Sequence, residues 1–290
     1  MIADRMDHFT LEFTEGDGAF FALADAQLKA DALKQDVLPR LSKLLERALT
    51  AAHRVYGVAP VQYSTVTALP AFRPTRREAP VTHHYGTAEQ GITATRSQVW
   101  RGIARPDGKQ AKIASHRLAF VLDARGVRPG RFHWWQQYTP ATNLKFIHFV
   151  QEHIDQIFQV MRIGELDMLP YHINITLRAD DLSLIAADGG SPEFWGRLML
   201  FPVHDRQLDV LVERFVMLFP IYDSYLRISL GQDHRFAELM TRSDTHLKEH
   251  ADELVTLFRI GTDPRCRSKG SRAQSRTACF RPRWQALADL

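Results

Sequence analysis

The sequence predicts an α+β fold: a mixed or mostly antiparallel sheet packed with about four to five helices, followed by a disordered basic C-terminal tail. Three observations carry that expectation. Strand-like and helix-like patterns are interspersed without a strict βαβ rhythm. The clearest amphipathic stripes, such as Leu41, Leu44, Leu45, Ala48, Leu49, Ala52 and Val55, are helical. From residue 262 to the end, Arg and Ser recur and large apolar residues are few, a composition poor in groups that build a core. Residues 1–261 therefore read as a single α+β body, with a subdivision near 139 as the place it would part, and 262–290 as the tail.

Taken in order, Phe9, Leu11 and Phe13 alternate with polar residues as a half-buried strand that the Gly16-Asp17-Gly18 run ends. A helical segment over 25–56 should break at Pro39, with that proline in the first turn of a second helix and Gly57 closing it. Residues 61–69 are rich in β-formers. Residues 71–115 carry Pro74, Pro80, Gly86, Gly91 and Gly102 and read as loops and short strands, with a turn at 105–109. Leu118 to Leu122 is apolar on both sides, which predicts a central strand with Asp123 at its carboxyl end.

Thr139-Pro140 begins the best-defined helix, expected to reach Arg162. Its buried stripe is Ile147, Val150, Ile154, Ile157 and Met161, and its polar stripe holds His148, Glu152 and Asp155. Residues 171–187 read as a hairpin and 198–201 as a short strand. Asp205 caps a helix that Pro220 should stop, residues 221–230 fit strand or helix equally, and Asp244 caps a last helix ending at Gly261.

Charge is divided unevenly. Between residues 72 and 131 twelve Arg and Lys stand against four Asp and Glu, a net of +8. The tail from 262 holds seven basic and two acidic residues, a net of +5, in a chain whose total is +4. The remaining body, 1–71 with 132–261, is therefore at −9. An acidic body with a basic belt and tail points to an anionic partner, in competition with pairing inside the molecule. The belt also closes on aromatics. Arg73, Arg76, Arg77, Arg96, Arg101, Arg128 and Arg131 with Trp100, Trp134 and Trp135 are the parts from which a single-stranded nucleic-acid groove is built: guanidinium forks for phosphate and rings for base stacking. The plainer reading makes the tryptophans packing residues at a strand-to-helix join.

Two sets of residues suggest metal chemistry. Asp123, Asp180 and Asp181 are candidate catalytic carboxylates for magnesium, as in metal-dependent nucleases. His246-Leu247-Lys248-Glu249-His250 matches H-x-x-E-H, in which two His four apart on a helix bind zinc and the Glu acts as base. No Glu follows Glu253 to complete that set, so a third ligand would come from His204, His234 or Asp244. The His148–Glu152–Asp155 stripe, with His153 beside it, is a further half-site, equally explained as a solvated helix face. No P-loop, G-x-G-x-x-G or G-x-S-x-G motif occurs.

The two cysteines, Cys266 and Cys279, both lie in the tail. No apolar signal core opens the chain and no apolar run reaches about 18 residues, so a cytoplasmic protein without membrane contact is expected. The function expected from sequence is binding of nucleic acid or another polyanion through 72–138, with cleavage or modification by a divalent metal, Mg or Zn. The alternatives are a zinc-dependent hydrolase at His246 and His250, and a non-catalytic assembly protein.

Overall fold

The computed structural model describes residues 11–57, 64–68, 82–83, 86–87, 98–104, 116–133, 140–169, 192–204 and 206–261. The fold is α+β with antiparallel sheets, as the sequence predicts. The central sheet has the order β2 (Ser64–Ala68), β5 (Gln98–Ala104), β6 (His116–Asp123), β7 (Gly126–His133), β9 (Glu193–Gly196) and β8 (Leu166–Leu169). A further strand, β10 (Met199–Leu200), pairs with β7. Two-residue pairs complete the set: β1 (Glu12–Phe13) with β11 (Val203–His204), and β3 (Thr82–His83) with β4 (Gly86–Thr87). The β6 strand is interior, as its two-sided apolar sequence requires.

Pleating divides the sheet. Leu118, Phe120 and Leu122 face one side and belong to the main buried cluster, whereas Ala119 and Val121, also buried, face the other. Helices cover the first side. Helix α3 (Leu38–Tyr56) buries its Leu/Ala stripe, and Gly57 closes it at φ 65° with its N–H bonded to the His53 carbonyl at 2.8 Å. Helix α6 (Arg206–Ser229) lies beside it, its Phe215 ring stacked on Phe120 with centroids 5.1 Å apart. The buried cluster runs from Phe13 to Phe258 and draws on residues either side of 139.

Several boundaries differ from expectation, each for a physical reason. Gly16 and Gly18 do not end a strand but sit in a short helix, α1 (Glu15–Ala19), because Asp17 accepts the Thr14 N–H at 2.7 Å and is clasped by Arg40 of α3. Pro39 stands in the first turn of α3, as expected, but the chain does not open before it: after α2 (Ala26–Ala32) a π-helical turn over Leu33–Val37 widens the helix, and α3 follows directly. Pro220 does not stop α6. A proline there leaves the carbonyl of Val216 without its helical N–H, and the buried Tyr56 hydroxyl donates to that carbonyl instead at 3.0 Å. Residues 221–229 continue the same helix. They are buried nearly all round, which is why they carry no amphipathic period.

The helix from Pro140 is interrupted at His153, giving α4 (Pro140–Glu152) and α5 (Ile154–Gly164). Asp244 caps nothing. It lies inside α7 (Phe236–Glu249), which is anchored at its start by buried Phe236 and followed by α8 (Ala251–Gly261). These splits raise the helix number above the expected four to five. The proposed turn at 105–109, the hairpin at 171–187, the cap at Asp205 and the tail at 262–290 lie outside the described residues. No helix among the described residues is long and apolar enough to cross a membrane.

On the side of the sheet away from α3 and α6, the register aligns Gly102, Ala119, Gly130 and Trp195. A Cβ on Gly130 would come within 2.2 Å of the Trp195 ring, so the indole packs there only because the position is glycine. Gly130→Ala is expected to cost about 1–3 kcal/mol, the usual penalty for overpacking. Urea denaturation followed by tryptophan fluorescence checks it.

Candidate metal centre

Helix α4 presents Lys145, His148, Phe149 and Glu152 to a cleft, a 3–1–3 spacing that keeps them on one face. The opposite wall is the end of α6 and the turn leading into α7: Ile228 and residues 231–234. The cleft encloses about 320 Å³.

The turn is built tightly. Gly231, at φ 69°, reverses the chain after α6, and the Gln232 N–H bonds back to the Arg227 carbonyl at 2.9 Å. Asp223, 2 % exposed, then grips both sides of the turn: Arg227 Nε at 3.1 Å from α6, and Arg235 by Nε and Nη2, each at 3.1 Å. His234 is carried between Gly231 and the Arg235 fork. Its ring meets Phe149 edge-on at 4.9 Å and His153 at 5.3 Å, while Phe236 closes on His153 at 4.9 Å. The interruption between α4 and α5 places His153 at φ −109°, and its N–H still bonds the Phe149 carbonyl at 3.1 Å.

One donor atom from each of Glu152, His153 and His234 lies within 4.8 Å of the other two. This is the one such group of three His, Cys, Asp or Glu side chains among the described residues. Nε2 of His153 and Nδ1 of His234 are both shielded from solvent and make no hydrogen bond. Buried polar nitrogens left in that state are costly and call for an explanation. Burial, and to a smaller extent the adjacent His153, hold the His234 imidazole below its ordinary pKa, against an opposing pull from Glu152 and Asp233. At neutral pH the ring is therefore uncharged, the form that offers a lone pair to a cation.

The other candidates are placed differently. His246 Nε2 lies 3.2 Å from Glu213 and His250 Nδ1 3.3 Å from Glu253, with the two rings 4.9 Å apart. The H-x-x-E-H pair thus has carboxylate neighbours but gathers no group of three among the described residues. Asp123 is 7 % exposed, and its carboxylate is occupied by its own hairpin, accepting the Arg125 N–H at 2.8 Å and Arg125 Nη2 at 3.2 Å. In this arrangement the acid sets the β6–β7 turn. Trp100 is 2 % exposed and lies opposite Val121 on β6, in a packing position. Arg101 is half-buried opposite Phe120; burial lowers its pKa and Glu46 of α3 works the other way. Arg128 lies over the Trp195 ring at 4.4 Å, a structural cation–π contact. Arg131 on β7 pairs in register with Leu118 of β6 and Phe194 of β9. Arg73, Arg76, Arg77, Arg96, Trp134, Trp135, Asp180 and Asp181 lie outside the described residues.

No protein-family model and no curated protein matches this chain. The centre is therefore read from its own residues. The sequence places Glu152 on a polar helix face with His153 beside it, and offers His234 only as a partner for His246 and His250. The pairing across the α6–α7 turn was missed, since no periodic pattern links residues 153 and 234.

Proposed function

We propose that this chain is a metalloprotein of the zinc-hydrolase type, holding one divalent cation through Glu152, His153 and His234. The observation that carries the reading is the convergence of those three donor atoms to within 4.8 Å. Two imidazoles and one carboxylate form a donor set used by catalytic zinc centres, which keep a fourth position for water or substrate. Imidazole ligands favour zinc and its transition-metal neighbours over magnesium, which takes oxygen ligands and keeps its waters. Glu152 and His234 also line the cleft, so the fourth position would open onto it. The chemistry a cation held by Glu152, His153 and His234 would supply is that of a Lewis acid that lowers the pKa of bound water, and Asp233 on the cleft wall offers a carboxylate as base.

Cobalt substitution tests the reading. Co(II) added to the wild type should give the intense visible bands of a tetrahedral site, and His153→Ala should abolish them. Weak octahedral bands, or bands unchanged in both His153→Ala and His234→Ala, would remove the proposal.

A second reading rests on the charge division: the +8 belt over 72–131 in an otherwise acidic body supports binding of nucleic acid or another polyanion. Its described members Trp100, Arg101 and Arg128 are engaged in packing, so the reading falls on the remainder of the belt. Affinity for single-stranded DNA or RNA should fall steeply with salt, with a log–log slope that counts the phosphates neutralised. A flat salt dependence, or no shift at low ionic strength, contradicts it.

A further inference from the structure

We propose that the cleft beside the metal centre binds a small elongated ligand with two oxyanion groups, one on the cation and the other on Lys145, and that it does so only when the cation is present. The inference rests on the metal reading above and adds the ligand class.

Position comes first. Lys145 and Glu152 lie two turns apart on the same face of α4, roughly 10 Å along the axis at 1.5 Å per residue. His148 stands between them, and Phe149 and Ile228 give the cleft apolar walls. A cleft of about 320 Å³ is at the small end of ligand pockets and fits a short linear molecule, not a duplex. Lys145 is exposed and takes part in no ion pair among the described residues, so its ammonium is available to a ligand.

Charge then sets the condition. The acidic and basic side chains of the lining are Lys145 against Glu152 and Asp233, a formal net of −1. A divalent cation turns that to +1. The metal-free cleft thus repels an anion that the loaded cleft attracts. The positive charge of the loaded cleft sits at two ends, which selects a ligand charged at both ends over one charged at a single end. Linkage makes the effect mutual: the anion tightens the metal by the same factor that the metal tightens the anion.

The shared chemistry is the oxyanion, and its source is either a dicarboxylate or a bisphosphate. Calorimetric titrations of the full chain with adipate, fructose 1,6-bisphosphate, acetate and methyl phosphate, each with and without Zn(II), separate these. One dianion should bind the zinc-loaded protein about tenfold more tightly than its single-ended counterpart, and binding to metal-free protein should be lost. Lys145→Met should erase the tenfold gain while zinc affinity stays within about twofold, since a single charge-assisted contact is worth about that factor. Lys145→Arg should restore most of it. Zinc binding with no preference for dianions, or a preference unaffected by Lys145→Met, overturns this inference and leaves the metal centre standing. Wild type that fails to bind zinc overturns both, whereas a dianion that binds equally well without metal overturns this inference alone.

Discussion

Arg214→Ala is expected to lower the unfolding free energy by about 3–5 kcal/mol, the range for stripping one partner from a buried ion pair. Arg214 is fully buried in the middle of α6. Its Nη2 bonds Glu165 Oε2 at 2.6 Å, its Nε the Gly164 carbonyl at 2.9 Å and its Nη1 the Arg197 carbonyl at 3.2 Å. One side chain thus joins the core helix to the end of α5 and to the turn after β9. Truncation leaves a carboxylate of 10 % exposure with only the longer contact to Arg197 Nη1 at 3.5 Å, and takes a donor from two carbonyls, besides opening a cavity. Urea denaturation measures the loss. The double variant Arg214→Met/Glu165→Gln should be less damaged than the two single losses summed, because it removes the orphaned charge as well. A single-variant loss below about 1 kcal/mol would mean that neighbouring groups or water replace the guanidinium.

Zinc at about a thousand times its dissociation constant is expected to raise wild-type stability by about 4 kcal/mol, through binding to the folded chain alone. The donors of the proposed centre come from the α4–α5 interruption and from the α6–α7 turn, segments some 80 residues apart in sequence that only the fold brings together. His153→Ala and His234→Ala should each lose most of the increment, whereas His246→Ala should keep it. The same denaturation curves with and without zinc distinguish the centre from the H-x-x-E-H pair. Equal increments in all three variants would place zinc elsewhere.

Much of the fold was legible because local patterns met no tertiary exception. The α3 stripe, the two-sided apolar β6, Gly57 as a helix stop and Pro140 as a helix start all follow from side-chain period and backbone chemistry. Pro220 was misread because the sequence shows the missing N–H but not the Tyr56 hydroxyl that replaces it from 160 residues away. Gly16 and Gly18 were misread because the Asp17–Arg40 clasp that holds α1 is likewise non-local.

The site was less legible than the fold. Composition drew attention to Trp100 and Asp123, yet burial and hairpin geometry give them packing and turn-setting roles. Glu152 stands out only as part of a polar helix face, with His153 beside it. What converts them into a candidate centre is His234, delivered by Gly231 and the Asp223–Arg235 fork, and nothing in the spacing of the chain announces that meeting.

Equilibrium dialysis against zinc, read as metal per chain, tests the centre most directly. One zinc per chain in the wild type and in His246→Ala, with none retained by His153→Ala or His234→Ala, is the predicted result. Wild type without bound zinc, or stoichiometric zinc retained by both His153→Ala and His234→Ala, would contradict it.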